Sequence, residues 1–288
     1  MQTEIISFKA KDGINLDGIL YKVAGKKVLI QIHGMTSNCF KKRDKIISKK
    51  VEELGIDTLD FNNRGSDVIR YIKTDEESFL GGMAFEDVEE SYYDIVGAIE
   101  FAISLGYEEI YLQGHSLGCT KIVYTYNKLY EENSELLRKI KAVILLSLVD
   151  IPSMEKADLK EEFMKYAEEK EAQGKLMDIM PFESYIHPIS VKTFLRYTKY
   201  YQNIDFARFD DANDNFEVLN KINVPLFIRW GNVNEIIKQD ARDLAEFVNS
   251  KIKNENKDIS YIDGADHGYY QKEEQLAEEI KVFLKKIQ

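Results

Sequence analysis

The sequence predicts an α/β protein: a mostly parallel sheet with helices packed on both faces. Three observations lead there. Short apolar runs alternate with amphipathic segments over most of the chain; the alternation stops near residue 150 and resumes near residue 221; and the apolar run Ile110-Tyr111-Leu112 passes through Gln113 into Gly114-His115-Ser116-Leu117-Gly118 and a helix-like stretch. A parallel strand covered on both faces reads as a continuous apolar run. The crossover that joins it to the next parallel strand is usually a helix.

The elements follow in order. Alternating residues give strands at 4–9, 14–22 and 27–32, with Lys11-Asp12-Gly13 as the turn between the first two. Helical and apolar periods then give a helix at 43–54, a strand at 56–61, a helix at 85–105, a strand at 109–113, a helix at 117–132 and a strand at 141–148. Between 151 and 220 the sequence is charged, aromatic and helix-rich, as in Leu159 to Gln173 and Lys192 to Gln202, and has no convincing buried strand. A helical cap inserted after the sixth strand is expected there, because binding elements gather at the carboxyl ends of parallel strands. A strand at 224–230, a helix at 238–252, a strand at 258–262 and a helix at 273–287 complete an eight-stranded sheet. The expected core is therefore 1–150 with 221–288, and the cap is 151–220.

A chain of 288 residues buries about 75% of its unfolded surface, enough for one large core without disulfides or a structural metal. Apolar residues are 44% and charged residues 31%, and 39 basic against 50 acidic residues leave a net charge of −11. That charge disfavours nucleic acid and anionic membrane surfaces as partners. No basic and apolar leader opens the chain and no apolar run is long enough to span a bilayer, so a cytoplasmic location is expected. Cys39 and Cys119 are too few for a disulfide framework and are read as packing residues. No phosphate-binding glycine loop and no clustered Cys/His set occurs, so neither a cofactor nor a metal is expected.

The chemistry is carried by Gly114-His115-Ser116-Leu117-Gly118. A serine can be held out at the tip of a sharp strand-to-helix turn only where the positions two before and two after carry almost no side chain. With that turn in place, the whole chain resembles the α/β-hydrolase superfamily. The resemblance also rests on His33-Gly34-Met35, on Asp60-Phe61-Asn62-Asn63-Arg64-Gly65 and on Gly264-Ala265-Asp266-His267-Gly268, each following a strand. Within the superfamily it is most similar to intracellular esterases of the feruloyl and siderophore type.

A serine alcohol needs a base to accept its proton. Of the four histidines, His267 lies after the last strand, where the order serine, acid, histidine of this fold places the base. His33 and His115 are read as packing or hydrogen-bonding residues, and His187 lies in the cap. By resemblance, the oxyanion donors are the amides of Met35 and Leu117, helped by the positive end of the helix that starts at the serine. The acid departs from the superfamily's pattern, because Gly231-Asn232-Val233-Asn234 puts asparagine where relatives carry aspartate. Three candidates stand: Glu235, the next residue; Asp150, at the end of the sixth strand; and Asn234 itself as a weakened orienter. Arg64 is read as structural. The cap aromatics Phe182, Tyr185, Phe194, Tyr197, Tyr200, Tyr201 and Phe206 are read mainly as packing, and Tyr269 and Tyr270 as candidates for the rim of the site.

The expected function is hydrolysis of a small carboxylic ester through an acyl-enzyme on Ser116. A peptidase or acyltransferase would use the same machinery. A third reading, motivated by Asn234, is a catalytically weakened protein that binds a ligand beneath the cap.

Overall fold

The computed structural model of the chain describes residues 2–151 and 159–288; Met1 and positions 152–158 of the expected cap lie outside the described residues. Strands β1 (Gln2–Lys9), β2 (Asn15–Lys22) and β3 (Lys27–Ile32) lead to helix α1 (Lys42–Val51) and strand β4 (Ile56–Phe61). A hairpin follows, β5 (Arg70–Lys73) and β6 (Ser78–Gly81), then α2 (Ser91–Ser104), β7 (Glu109–His115), α3 (Leu117–Glu131) and β8 (Ile140–Leu146). Helices α4 (Glu161–Ala172) and α5 (Val191–Thr198) occupy the segment before β9 (Leu226–Gly231), α6 (Ala241–Lys251), β10 (Lys257–Ile262) and α7 (Glu273–Lys286).

The strands form one sheet in the order β10-β9-β8-β7-β3-β4-β2-β5-β6, with β1 paired along β2. From β10 to β4 every pairing is parallel, and the pairings of β2 and of the β5–β6 hairpin are antiparallel. The sheet has ten strands where eight were expected, because the hairpin at 70–81 gives little amphipathic signal. Only Ile72 and Gly81 of its strand residues are buried, so an alternating apolar face is absent from the sequence. The helix expected at 85–105 also begins later, as two short 3-10 turns precede α2 at Ser91.

Alternation along the central strand distributes its side chains to two cores. Ile110 and Leu112 of β7 pack with Ile95, Ile99, Ile122 and Val123 of α2 and α3 on one face. Tyr111 faces the other way, with Ile47 and Val51 of α1 and Leu276 and Ile280 of α7. The helices therefore sandwich the sheet, and β7, flanked by β3 and β8, is buried from Ile110 to His115. Its carboxyl end is therefore held between strands on both sides and helices on both faces. The segment after β8 joins the α2–α3 side, burying Phe194, Leu195, Tyr197 and Phe216. Helix α5 is capped by Ser190, whose Oγ accepts from the Thr193 amide at 3.2 Å, and Arg196 ties it to Asp87 and Glu89. Among the described residues no helix is long and apolar enough to cross a membrane.

Candidate active site

At the carboxyl end of β7 the chain turns at Ser116 with φ 54° and ψ −125°. A non-glycine residue in that region is strained by about 1–3 kcal/mol and persists only where its surroundings hold it. Here the Ser116 amide donates to the Leu146 carbonyl at 2.9 Å, and the Ser116 carbonyl accepts from the Cys119 amide at 2.8 Å. The flanking glycines are required by contact. A Cβ on Gly114 would lie 2.5 Å from the Gly118 carbonyl oxygen, and one on Gly118 would lie 2.2 Å from that of Ile32. The sequence motif and the turn thus have one cause, the lack of room beside the bend.

The loop after β3 presses against this turn; a Cβ on Gly34 would come within 2.9 Å of both the His115 carbonyl oxygen and Ser116 Cβ. That contact brings the Met35 amide to the cavity lined by Ser116 and Leu117. Among the described residues neither the Met35 nor the Leu117 amide donates a hydrogen bond, so both are available to an oxyanion. His33 fixes the loop. Its Nδ1 donates to the Gly34 carbonyl at 3.0 Å while Nε2 accepts from the Asn63 amide at 3.3 Å, a pairing that only the neutral ring satisfies. Full burial, aided by the Lys121 charge, lowers its pKa to about 3. The unfolded chain therefore binds a proton at His33 between about pH 6.5 and 3 that the folded chain does not, so stability rises with pH across that window and falls on acidification. His33→Asn should flatten the slope of unfolding free energy between pH 6 and 4 by about 1.4 kcal/mol per pH unit. Denaturant titrations across that range measure it, and an unchanged slope would remove His33 from the account.

His267 lies in the loop after β10, and its Nδ1 is hydrogen-bonded to Glu235 Oε1. That bond leaves Nε2 as the acceptor. His267 and Ser116 line the same cavity. Glu235 Oε2 accepts from Ser147 Oγ at 2.9 Å and from the Gly231 amide at 3.2 Å. Burial alone would push the Glu235 carboxyl up, but the hydrogen bond and charge of His267, with the Ile236 amide and the Ser147 hydroxyl, hold it below the usual carboxylate range. Glu235 therefore stays ionised at neutral pH, as a partner for a developing imidazolium must.

The other acid candidates are placed elsewhere. Asn234 is exposed, with φ 50°, and the turn it makes directs the following residue inward. Asp150 is buried, and its Oδ2 accepts from the Phe209 amide at 3.1 Å, tying the end of the β8 loop to the inserted segment. His115 lies beside His267, their ring centroids 4.9 Å apart. Its Nε2 donates to the His267 carbonyl at 2.7 Å, and burial pushes its pKa well down, so it holds the histidine loop as a neutral donor. Arg64 is structural: it binds Asp94 at 2.8 Å and Asp12 at 2.8 Å.

One residue of the site, Ser147, escapes the sequence reading, and one, Tyr269, is placed differently from it. Ser147 is fully buried with φ 50°, and its single hydroxyl proton is best used on the Glu235 carboxylate. A serine closing an apolar strand carries no signal of that role. Tyr269 does not rim the site as Tyr270 does; it is fully buried, its hydroxyl donating to the Arg229 carbonyl at 2.7 Å and accepting from the Ser147 amide at 3.1 Å. Of the aromatics between β8 and β9, Tyr185 and Phe194 line the cavity, while Tyr197 and Phe206 are buried and Phe182 is exposed.

The cavity at Ser116 measures about 640 Å³ and is walled by Val149, Ile151, Tyr185, Ile186, Phe194 and Ile236. Among the described residues no cluster of three or more His, Cys, Asp or Glu side chains could hold a metal.

Sheet order, the strained serine turn after the central strand and a histidine loop after the last strand together define the α/β-hydrolase fold, and the chain adopts it. Est1E from Butyrivibrio proteoclasticus, solved with ferulic acid bound, has a TM-score of 0.68 and 20% identity over 97% of this chain and 98% of its own. The α/β hydrolase GrgF from Penicillium sp. sh18 has a TM-score of 0.69 and 16% identity over 99% of each chain. Mouse alpha/beta hydrolase domain-containing protein 10 has a TM-score of 0.65 and 16% identity over 99% of this chain and 100% of its own. The chain matches no protein-family model and no curated protein. At such identities the likeness carries the fold, and the reaction must be argued from the site.

Proposed function

We propose that the protein is a serine hydrolase that cleaves small carboxylic esters, with Ser116 as nucleophile, His267 as base and Glu235 as acid. The observation that carries this reading is the ionised, buried Glu235 on His267 Nδ1, in a cavity that also presents a strained serine. His267 Nε2 takes the Ser116 proton as Oγ bonds to the ester carbonyl carbon, and the oxyanion is held by the Met35 and Leu117 amides. Collapse of that intermediate breaks the bond to the alkoxide, which leaves as the alcohol with the proton from His267. Water then attacks the acyl-enzyme, giving its proton to His267. Release of the carboxylic acid returns that proton to Ser116.

Residues 151–220 act as a cap in this reading, with Tyr185, Ile186 and Phe194 closing the acyl cavity. Neighbours of the same fold include an esterase from Pyrococcus furiosus, with a TM-score of 0.60 and 15% identity, which supports an ester as substrate. With Glu235 against His267, Asn234 no longer argues for a protein that binds without turnover.

The test is reaction with a fluorophosphonate probe and peptide mapping, which should place the label on Ser116. In parallel, p-nitrophenyl acyl esters should be turned over and aminoacyl anilides should not. Failure to label folded protein would remove the mechanism, and an anilide preference would make the protein a peptidase.

A further inference from the structure

A second cavity, about 460 Å³, adjoins the first at Ser116 and shares Met35, Thr36 and His267 with it. Its far wall is different in kind. Lys41, Lys42 and Arg43, at the start of α1, line it together with Tyr270 and a single carboxylate, Glu273. We propose that this cavity is a subsite for a carboxylate carried on the alcohol half of the substrate, a reading that rests on ester cleavage at Ser116.

The charge inventory supports a monoanion. Lys42 Nζ is engaged by Glu273 Oε1 at 3.0 Å. Arg43 is only 6% exposed and spends Nε and Nη2 on Asp44, at 2.8 and 3.0 Å, while its Nη1 has no partner among the described residues. Lys41 is exposed and pairs with no carboxylate among the described residues. Burial and the Asp44 charge push the neighbouring Asp60 carboxyl well up toward its neutral form, so three cations against Asp44 and Glu273 leave one positive charge beside Ser116. Held on one edge by Asp44, the guanidinium lines the cavity with Nη1 as a fixed charged donor that an anion can meet.

The two cavities divide the substrate. The first is lined mainly by apolar side chains, among them Val149, Ile151, Ile186, Phe194 and Ile236, and its one lysine, Lys160, shares it with the Glu183 carboxylate, so it offers an anion no net positive charge. That cavity suits the acyl chain. The leaving alcohol must take a proton from His267 and escape to water, and the second cavity is bordered by His267 and by the exposed Lys41, Lys42 and Tyr270. A carboxylate on the alcohol would therefore be oriented by Arg43 and Lys41 while its ester carbonyl sits at Ser116.

The experiment compares kcat/KM for 4-(butanoyloxy)benzoate, the matching benzamide and 4-(butanoyloxy)phenyl phosphate in low salt, using wild type, Lys41→Gln and Lys41→Glu. Lys41 is exposed and makes no side-chain bond among the described residues, so both variants should fold. The wild type should favour the carboxylate over the amide about tenfold, Lys41→Gln should cut that ratio about threefold, and Lys41→Glu should bring it to about one. Calorimetric binding of 4-hydroxybenzoate against 4-hydroxybenzamide, to wild type and Lys41→Glu, is read alongside. Equal handling of carboxylate and amide in both readouts, or a ratio unmoved by Lys41→Glu, would overturn the subsite while leaving ester cleavage intact. A phosphate favoured over the carboxylate would overturn the assignment to a monoanion. Charge-dependent binding without turnover of any ester would retain the subsite and remove the esterase reading.

Discussion

Replacing Ser116 with alanine should abolish ester hydrolysis, lowering kcat by about 10⁵-fold or more, while leaving the fold in place. The loss is expected to be that large because the proposed mechanism carries the acyl group on the Ser116 hydroxyl. Cys119, a thiol one turn along α3, offers no substitute: it is fully buried, its Sγ directed to the Gly114 and Leu146 carbonyls at 3.3 and 3.1 Å, and burial pushes its thiol well up. Stability should change little. Alanine at 116 meets the same positive φ as serine, and the backbone bonds that hold the turn, to Leu146 and Cys119, do not use the hydroxyl. Thermal unfolding of the variant should stay within a few degrees of wild type, with activity measured on the same preparation. Retention of more than a hundredth of wild-type kcat by folded Ser116→Ala would end the acyl-enzyme mechanism.

Glu235→Gln should lower kcat by about 10³- to 10⁴-fold, because an amide can orient His267 but cannot stabilise the imidazolium, and its NH₂ can select the wrong tautomer. With the amide oxygen on His267 instead, the NH₂ would replace the acceptor that Ser147 and the Gly231 amide share on the other carboxylate oxygen. Two comparisons give the result its meaning. Asp150→Asn keeps an oxygen for the Phe209 amide and should change kcat less than about fivefold, and Asn234→Gly tolerates φ 50° and should behave likewise. If Asp150→Asn proved the damaging change, Glu235 would be an orienting residue for the loop and the acid would have to be sought at the end of β8. Because the Glu235 carboxyl is held below the usual range, its contribution to folding is present above the unfolded value and is lost as pH falls through the folded one. Acid inactivation should accordingly be less steep in Glu235→Gln than in wild type.

The acid shows where reading residues along the chain reaches its limit. Spacing after the seventh expected strand puts Asn234 at the familiar position and leaves Glu235 and Asp150 as alternatives. What separates them is the positive φ of Asn234, which exposes that side chain and turns its neighbour inward, and the demand of the Phe209 amide on Asp150. Neither is a property of local composition. The same holds for Ser147, which meets Glu235 only because β8 and the loop after β9 end side by side. The hairpin at 70–81 was missed for a different reason. Three of the four residues of β6 are exposed, and a strand that buries almost nothing writes no pattern.

The sequence by itself determined the layered α/β architecture and the place of the strained serine turn. Both depend on local requirements, namely apolar periodicity for strands and helices and the two small residues that a strained turn needs. Only the tertiary structure decided which carboxylate faces His267, which amides remain free at Ser116, and that the Lys41-Lys42-Arg43 run shares a cavity with Ser116. Those outcomes rest on elements far apart in the chain arriving at one sheet edge. The directions of their side chains are set there by packing and by backbone angles that no short stretch of residues encodes.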